Sequence, residues 1–451
     1  MTIYRGAIVD TSGDPFIDGA QALRADQDGG LLVRDGRIVA RAAFHRVRAE
    51  APDDEVVTLA GGLVLPGFVD THVHFPQIRA VGGLGMPLLD WLEKCALPEE
   101  SRLAEPGYAA AVADEFLDGL LAVGTTSALV FGSHFAAAMD LLFAGARARD
   151  MNVTSGLVVS DRILTADLLC TPEAAGQQSA DLIDRWHGQG RLKYAVTPRF
   201  SLSTSDAVLS VCGELLDGDI TFTSHLNENP AEVAAVVSLF PHRRDYLDTY
   251  HQHGLVTDRS VFAHNVHATD KELALMGETG AWASHCPTSN SALGSGLFPL
   301  RRHRAHGVGV ALGSDVGAGT GLFLPKEGLQ AYFMQQLLGA DGSALDPVQL
   351  LFLCTLAGAR ALGIADRVGD FSVGKEFDAV WLRPADGSTL AVNLRHATDP
   401  VDALARVFAL AAPSDVAGVW LRGAPAATTS SSHLAGGPWP PVPWPVRAGL
   451  S

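Results

Sequence analysis

Residues 65–77 read LPGFVDTHVHFPQ. An apolar run turns at a Pro-Gly corner, delivers two histidines two positions apart, and stops at a polar glutamine. Side chains alternate across a strand, so His72 and His74 share one face with Cα atoms about 6.6 Å apart, while Val73 points to the other. Two imidazole nitrogens presented this way can meet on one cation at about 2.0–2.1 Å each. The residues before them are apolar on both faces, as expected of a parallel strand that is covered on both sides.

Seven similar runs follow: TTSALVF, VTSGLVVS, LKYAVTPRF, ITFTSHLNE, SVFAHNVH, AWASHCPT and VGVALGSDVG. Most are separated by enough residues for an amphipathic helix, such as YAAAVADEFLDGLLAVG after the first. Eight β/α units predict an α/β fold, a TIM-type (β/α)8 barrel over residues 63–367. The flanks have a different texture. Residues 1–62 and 368–424 carry short apolar pieces divided by Gly, Asp and Pro, and RDGR at 34–37 has the Asp-Gly of a two-residue hairpin turn. The two flanks are expected to join in a small β-sandwich domain. From 425 to 451 Ser, Thr, Gly and Pro dominate, with Trp439 and Trp444 among the prolines, and a loosely ordered tail is expected.

The totals agree with a large enclosed core. Of 451 residues 47% are hydrophobic and 18% charged, and 33 basic against 50 acidic side chains leave a formal charge of −17. Such an acidic surface disfavours nucleic acid and anionic membranes as partners. The five cysteines are scattered, odd in number and never paired as C-x-x-C, which argues against a disulfide framework or a thiolate metal site. The amino terminus MTIYRGAIVD lacks the apolar core of a signal peptide, and no apolar run approaches the roughly 18 residues of a membrane helix. A soluble, cytoplasmic protein is expected.

In a barrel, residues at the carboxyl ends of strands face the site. Here they are His72 and His74, Arg199, His225 with Glu228, His264, His285 and Asp315. All but Arg199 are histidine or acidic. His225 can add a third nitrogen and Asp315 an oxygen, a donor set that suits zinc or iron(II) with a position left for water. The fourth strand ends without a lysine for a bridging carbamate, so one ion is expected. Glu228, three residues after His225, can reach the reacting water without being a ligand; the competing reading is a glutamate in a helical first turn. His264 is either a satisfied core imidazole or a partner of the water or of the developing negative charge. His285 is as easily a residue that orders its loop. The glycines around Asp315 let that loop pass close to a ligand, and they do not form a dinucleotide fingerprint.

PGFVDTHVHFPQ, LLDWLEK, GTTSALVFG, RWHGQGRLKYAVTPRF, SHLNEN, FAHNVH, SHCPTSN and ALGSDVGAGT together resemble the guanine deaminases of the amidohydrolase superfamily. The likeness runs from about residue 60 to 370. H-x-H marks only the superfamily; FPQ after it and TPRF are far more specific. The resemblance implies zinc on His72, His74, His225 and Asp315. It implies Gln77, Arg199 and Phe200 as purine contacts, with His74, His225, Glu228 and Asp315 also facing the substrate. Glu228, His264 and Asp315 are the implied catalytic residues, Glu228 as proton shuttle, and Trp91 is a candidate cover for the base. The implied reaction converts guanine to xanthine and ammonia, in a homodimer. HLNEN stands where HLSEN is commoner, and RFSLSTSD departs after RF; neither removes a ligand or a proton carrier. The alternatives are a deaminase of another purine, a pterin or a triazine on the same scaffold, and a catalytically dead barrel used in assembly, which would be expected to have lost metal ligands.

Overall fold

In the computed structural model, which describes residues 1–427, the eight runs become eight parallel strands. They are Phe68–His74, Thr125–Phe131, Asn152–Gly156, Leu192–Pro198, Thr221–Leu226, Ser260–His264, Trp282–His285 and Gly309–Leu312. Their order in the sheet is their order in the chain. The eighth meets the first through polar contacts rather than a ladder. The Asp315 N–H donates to the His72 carbonyl (2.8 Å), and Thr71 Oγ1 donates to the Leu312 carbonyl (2.8 Å). Every residue of the first and second strands is buried, because side chains fill the barrel on one face and helices cover the other.

The covering helices start and stop where the sequence gives them reason to. Asp270–Thr279 is capped by Thr269 in a reciprocal pair with Glu272, and it ends at Gly280 in the left-handed conformation (φ 75°). Pro106–Ala122 and Pro172–Trp186 open on proline, whose missing N–H costs nothing there. The third run, VTSGLVVS, divides into Asn152–Gly156 and a two-residue strand Val158–Val159 on the fourth strand. Gly156 lies so close to that neighbour that a Cβ would sit 1.7 Å from the Ala195 carbonyl oxygen.

The segments on either side of the barrel join in one seven-stranded mixed sheet. Its order is Ala424–Ala427, Val416–Leu421, Ala379–Leu382, Glu55–Pro66, Thr2–Thr11, Leu23–Arg34, Arg37–Ala43. Glu55–Pro66 is the seam, parallel to Thr2–Thr11 on one side and antiparallel to Ala379–Leu382 on the other. The hairpin at Asp35-Gly36 has φ of 50° and 78°, as its Asp-Gly pair predicts. The small domain has its own apolar core, with Tyr4, Phe377, Trp381 and Trp420 at its centre. Arg191 pins it to the barrel, paired with Asp378 and with Glu376 (3.1 Å). Glu55–Pro66 carries the sheet past residue 62, and the last strand takes it three residues into the expected tail. The rest of the tail, with Trp439 and Trp444, lies outside the described residues.

Among the described residues no helix is long and apolar enough to cross a membrane, and all five cysteines are free.

Candidate active site

The strand ends bring five groups to one point. His74 Nε2 lies 3.1 Å from His72 Nε2, 3.3 Å from His225 Nε2 and 3.2 Å from Asp315 Oδ1, and His72 Nε2 is also 3.2 Å from Asp315 Oδ1. Four ligands at about 2.1 Å in a tetrahedron stand roughly 3.4 Å apart, so this spacing fits one small cation. One atom each from His72, His225, His264 and Asp315 also falls within a 4.8 Å group. His264 Nε2 is the more distant member, 3.8 Å from Asp315 Oδ2 and 3.5 Å from Glu228 Oε2. The closer distances favour His72, His74, His225 and Asp315 as the residues able to hold a metal, with His264 at the rim.

The electrostatics prepare these groups as ligands. Burial pushes His74 down to about 3 and holds His225 well below the usual histidine range, so both are neutral donors. Burial alone would raise the Asp315 carboxyl. The hydrogen bonds from His72 and His74 outweigh it and hold Asp315 well below the carboxylate range. The outer ring atoms fix the imidazoles. His225 Nδ1 donates to the Arg199 carbonyl (2.7 Å) and His264 Nδ1 donates to Asn290 Oδ1 (3.0 Å), which leaves each Nε2 lone pair facing inward. The Phe131 ring packs at 4.6 Å from both the His74 and His225 rings.

Two of the groups arrive from unusual backbone. His264 has φ 68° and Asp315 φ 46°, left-handed conformations that non-glycine residues avoid. Glu228 is not a first-turn glutamate. The helix Pro230–Leu239 takes Asn229 as its cap and Glu232 as the reciprocal partner, which frees Glu228 to face the centre. It is fully buried, Ser295 Oγ donates to its Oε1 (3.2 Å), and burial followed by the charge of Asp315 raises it to about 8. His285 stays away from this cluster, stacked on Phe298 with ring centroids 4.4 Å apart.

Above the cluster is a cleft with about 340 Å³ of empty space. Leu88, Trp91, Leu92, Leu293 and Phe200 form its apolar wall, and Gln77 and Arg199 its polar one. Reading the sequence does not find the residue behind that polar wall. Glu100 is buried and takes hydrogen bonds from Gln77 Nε2 (2.7 Å) and from Arg199 Nη1 (2.8 Å to each oxygen). His134, just past the second strand, lies 3.5 Å from it. Glu100 is one of two adjacent acids in LPEES, which reads as a solvated helical turn; the only signal was that a buried Arg199 would need a counter-charge.

The chain belongs to the amidohydrolase family, whose model matches residues 63–425. It is 57% identical over 430 residues to the probable guanine deaminase of Deinococcus radiodurans, covering 94% of this chain and 98% of that one. Among solved structures it is similar to E. coli guanine deaminase, with a TM-score of 0.92, 36% identity and coverage of 95% and 100%. Guanine deaminase from C. acetobutylicum with guanine bound in its active site superposes with a TM-score of 0.86 at 25% identity, covering 94% of this chain and 99% of that one.

Proposed function

We propose that this protein is a zinc-dependent guanine deaminase, hydrolysing guanine to xanthine and ammonia. The observation that carries the reading is the neighbourhood of two sets of residues. Three neutral imidazole nitrogens and a carboxylate converge, with His74 Nε2 at 3.1–3.3 Å from the other three ligand atoms, beside a wall made of Gln77, Arg199 and Phe200. His72, His74, His225 and Asp315 would hold one zinc ion, with iron(II) as the other metal the donor set suits. When bound, zinc supplies Lewis acidity that brings the ionisation of water down to near pH 7.

The protein's own groups carry the protons. Asp315 accepts one from the attacking water as its oxygen adds to C2. Glu228, neutral because it is raised to about 8, protonates ring nitrogen N3. Of the two protons then held by Asp315 and the new C2 hydroxyl, one leaves with the amine as ammonia and the other restores Glu228. The C2–N bond breaks with its electron pair on nitrogen, and C2=O forms. His264, oriented by Asn290, stabilises the charge that develops at C2 oxygen.

Recognition rests on the wall. Arg199 donates to the 6-carbonyl, where adenine carries an amine, and an unpaired buried donor there can cost about 10⁴-fold. Phe200 and Trp91 offer ring faces to the base, a contact worth about 1–3 kcal/mol per stacked ring. The reading includes a cytoplasmic setting, supported by the free cysteines, and a homodimer, supported by the resemblance of the sequence to its relatives. The test is ammonia release from guanine against adenine, 8-oxoguanine and melamine, with metal content measured on the same sample. Guanine is expected to be preferred over adenine by about 10⁴-fold in kcat/KM. A triazine or another purine turned over faster would replace guanine as the substrate.

A further inference from the structure

The polar wall of the cleft has its own buried support, and that support decides what the wall can recognise. Glu100 is 2% exposed, Gln77 1% and Arg199 3%. Gln77 Nε2 donates to Glu100 Oε1 at 2.7 Å and lies 3.3 Å from His74 Nδ1. One of its N–H groups is thereby held on the carboxylate, and that pull fixes which way the amide faces; His74 Nδ1 carries the ring proton when Nε2 is the ligand and does not accept the other. Gln77 Oε1, an acceptor, is turned away from Glu100. Arg199 Nη1 is taken up by the two Glu100 oxygens at 2.8 Å each. The other guanidinium nitrogens can only donate. His134 Nδ1 lies 3.5 Å from Glu100 Oε2, and neither of its ring nitrogens has a hydrogen-bond partner. Burial first, then the charge of Arg199, keeps it neutral, so it backs the carboxylate without competing for it as a cation.

We infer that Glu100 is a specificity-determining positioning residue. It locks Gln77 as an acceptor and Arg199 as a donor, so that the wall reads an N–H and a carbonyl on the same base. A 2-amino-6-oxopurine offers both, O6 to Arg199 and an N–H to Gln77. A 6-aminopurine fails twice, with an amine towards Arg199 and no N–H on its six-membered ring. This deepens the guanine reading and rests on it. Without Glu100 the Gln77 amide can turn over and donate, and the second mismatch disappears.

The experiment compares the zinc-loaded wild type with Glu100→Gln, which keeps the shape but presents an amide to Arg199 and Gln77. Five quantities are read: kcat and KM for guanine, the inhibition constant of adenine, zinc content and melting temperature. The expected result is zinc still at the wild-type level, KM for guanine raised about 30-fold or more with kcat within about threefold, and adenine bound more tightly. A residue that merely held the fold together would lower kcat, zinc content and melting temperature together and leave the adenine-to-guanine preference alone. An unchanged KM, or a loss of that general kind, overturns the role of Glu100. Should Glu100→Gln fail to fold, Glu100→Asp, which keeps the charge and withdraws it by one methylene, is expected to give the same split at smaller size, and wild-type constants there would overturn the proposal. The wild-type control separates the two claims. No ammonia from guanine in the wild type sinks the deaminase reading, whereas normal wild-type turnover beside an unaltered KM in the variant sinks only Glu100.

Discussion

Asp315 is the residue on which most of the site converges. Its Oδ1 is 3.2 Å from two imidazole nitrogens, its N–H closes the barrel on the His72 carbonyl, and its backbone is left-handed at φ 46°. A conformation of that kind costs on the order of 1–3 kcal/mol and persists only where its surroundings enforce it. Asp315→Ala and His74→Ala are each expected to lose the bound metal and activity together, read as zinc per chain and ammonia release. Normal zinc content with normal turnover would remove them from the ligand set. Glu228→Gln separates chemistry from metal binding. It is expected to keep zinc while ammonia release falls by a factor of about 10² or more, the usual worth of a proton carrier. A near-normal rate would assign the proton to another group.

At the scale of elements, the loop after the eighth strand shows what the glycines of ALGSDVGAGT are for. Gly317 has φ 112°, and a Cβ there would sit 2.3 Å from Gln77 Oε1. Gly317→Ala is expected to cost about 1–3 kcal/mol of stability and to raise KM, checked by thermal unfolding and by kinetics on guanine. An unchanged KM would mean that the loop does not hold Gln77. The eight strands were legible in the sequence because strands buried on both faces read as unbroken apolar runs. The histidines at their ends were legible because a two-residue alternation fixes which side chains share a face. Glu100 and His134 were not, since both lie beyond the strands, where neither periodicity nor alternation says which way a side chain turns. The left-handed backbone at His264 was also hidden, because nothing about a histidine announces a positive φ. Glu228 sat between two readings until Asn229 and Glu232 were seen to satisfy the helix start.

For the molecule as a whole, the segments flanking the barrel meet in one sheet, and the barrel carries paired carboxylates on its outer helices and turns. At Asp206 burial works to raise the carboxyl, but hydrogen bonds from Arg243 and His253 prevail and hold it at about 2. Lys193 and His187 hold Asp219 at about 2 as well. A depressed carboxyl stabilises the fold above its unfolded value near 3.9 and loses that contribution as pH falls towards the folded value. The melting temperature is therefore expected to fall between about pH 4 and 2, and the deficit of Asp206→Asn against wild type should shrink over the same window. A deficit that does not change with pH would contradict the linkage. The central claim is that one metal site, built from His72, His74, His225 and Asp315, hydrolyses guanine. Its most direct test is to strip the metal with a chelator and titrate zinc back while following xanthine formation. The account predicts no turnover without metal and a rate that rises linearly and saturates at one zinc per chain; saturation at two, or full turnover by the metal-free protein, would contradict it.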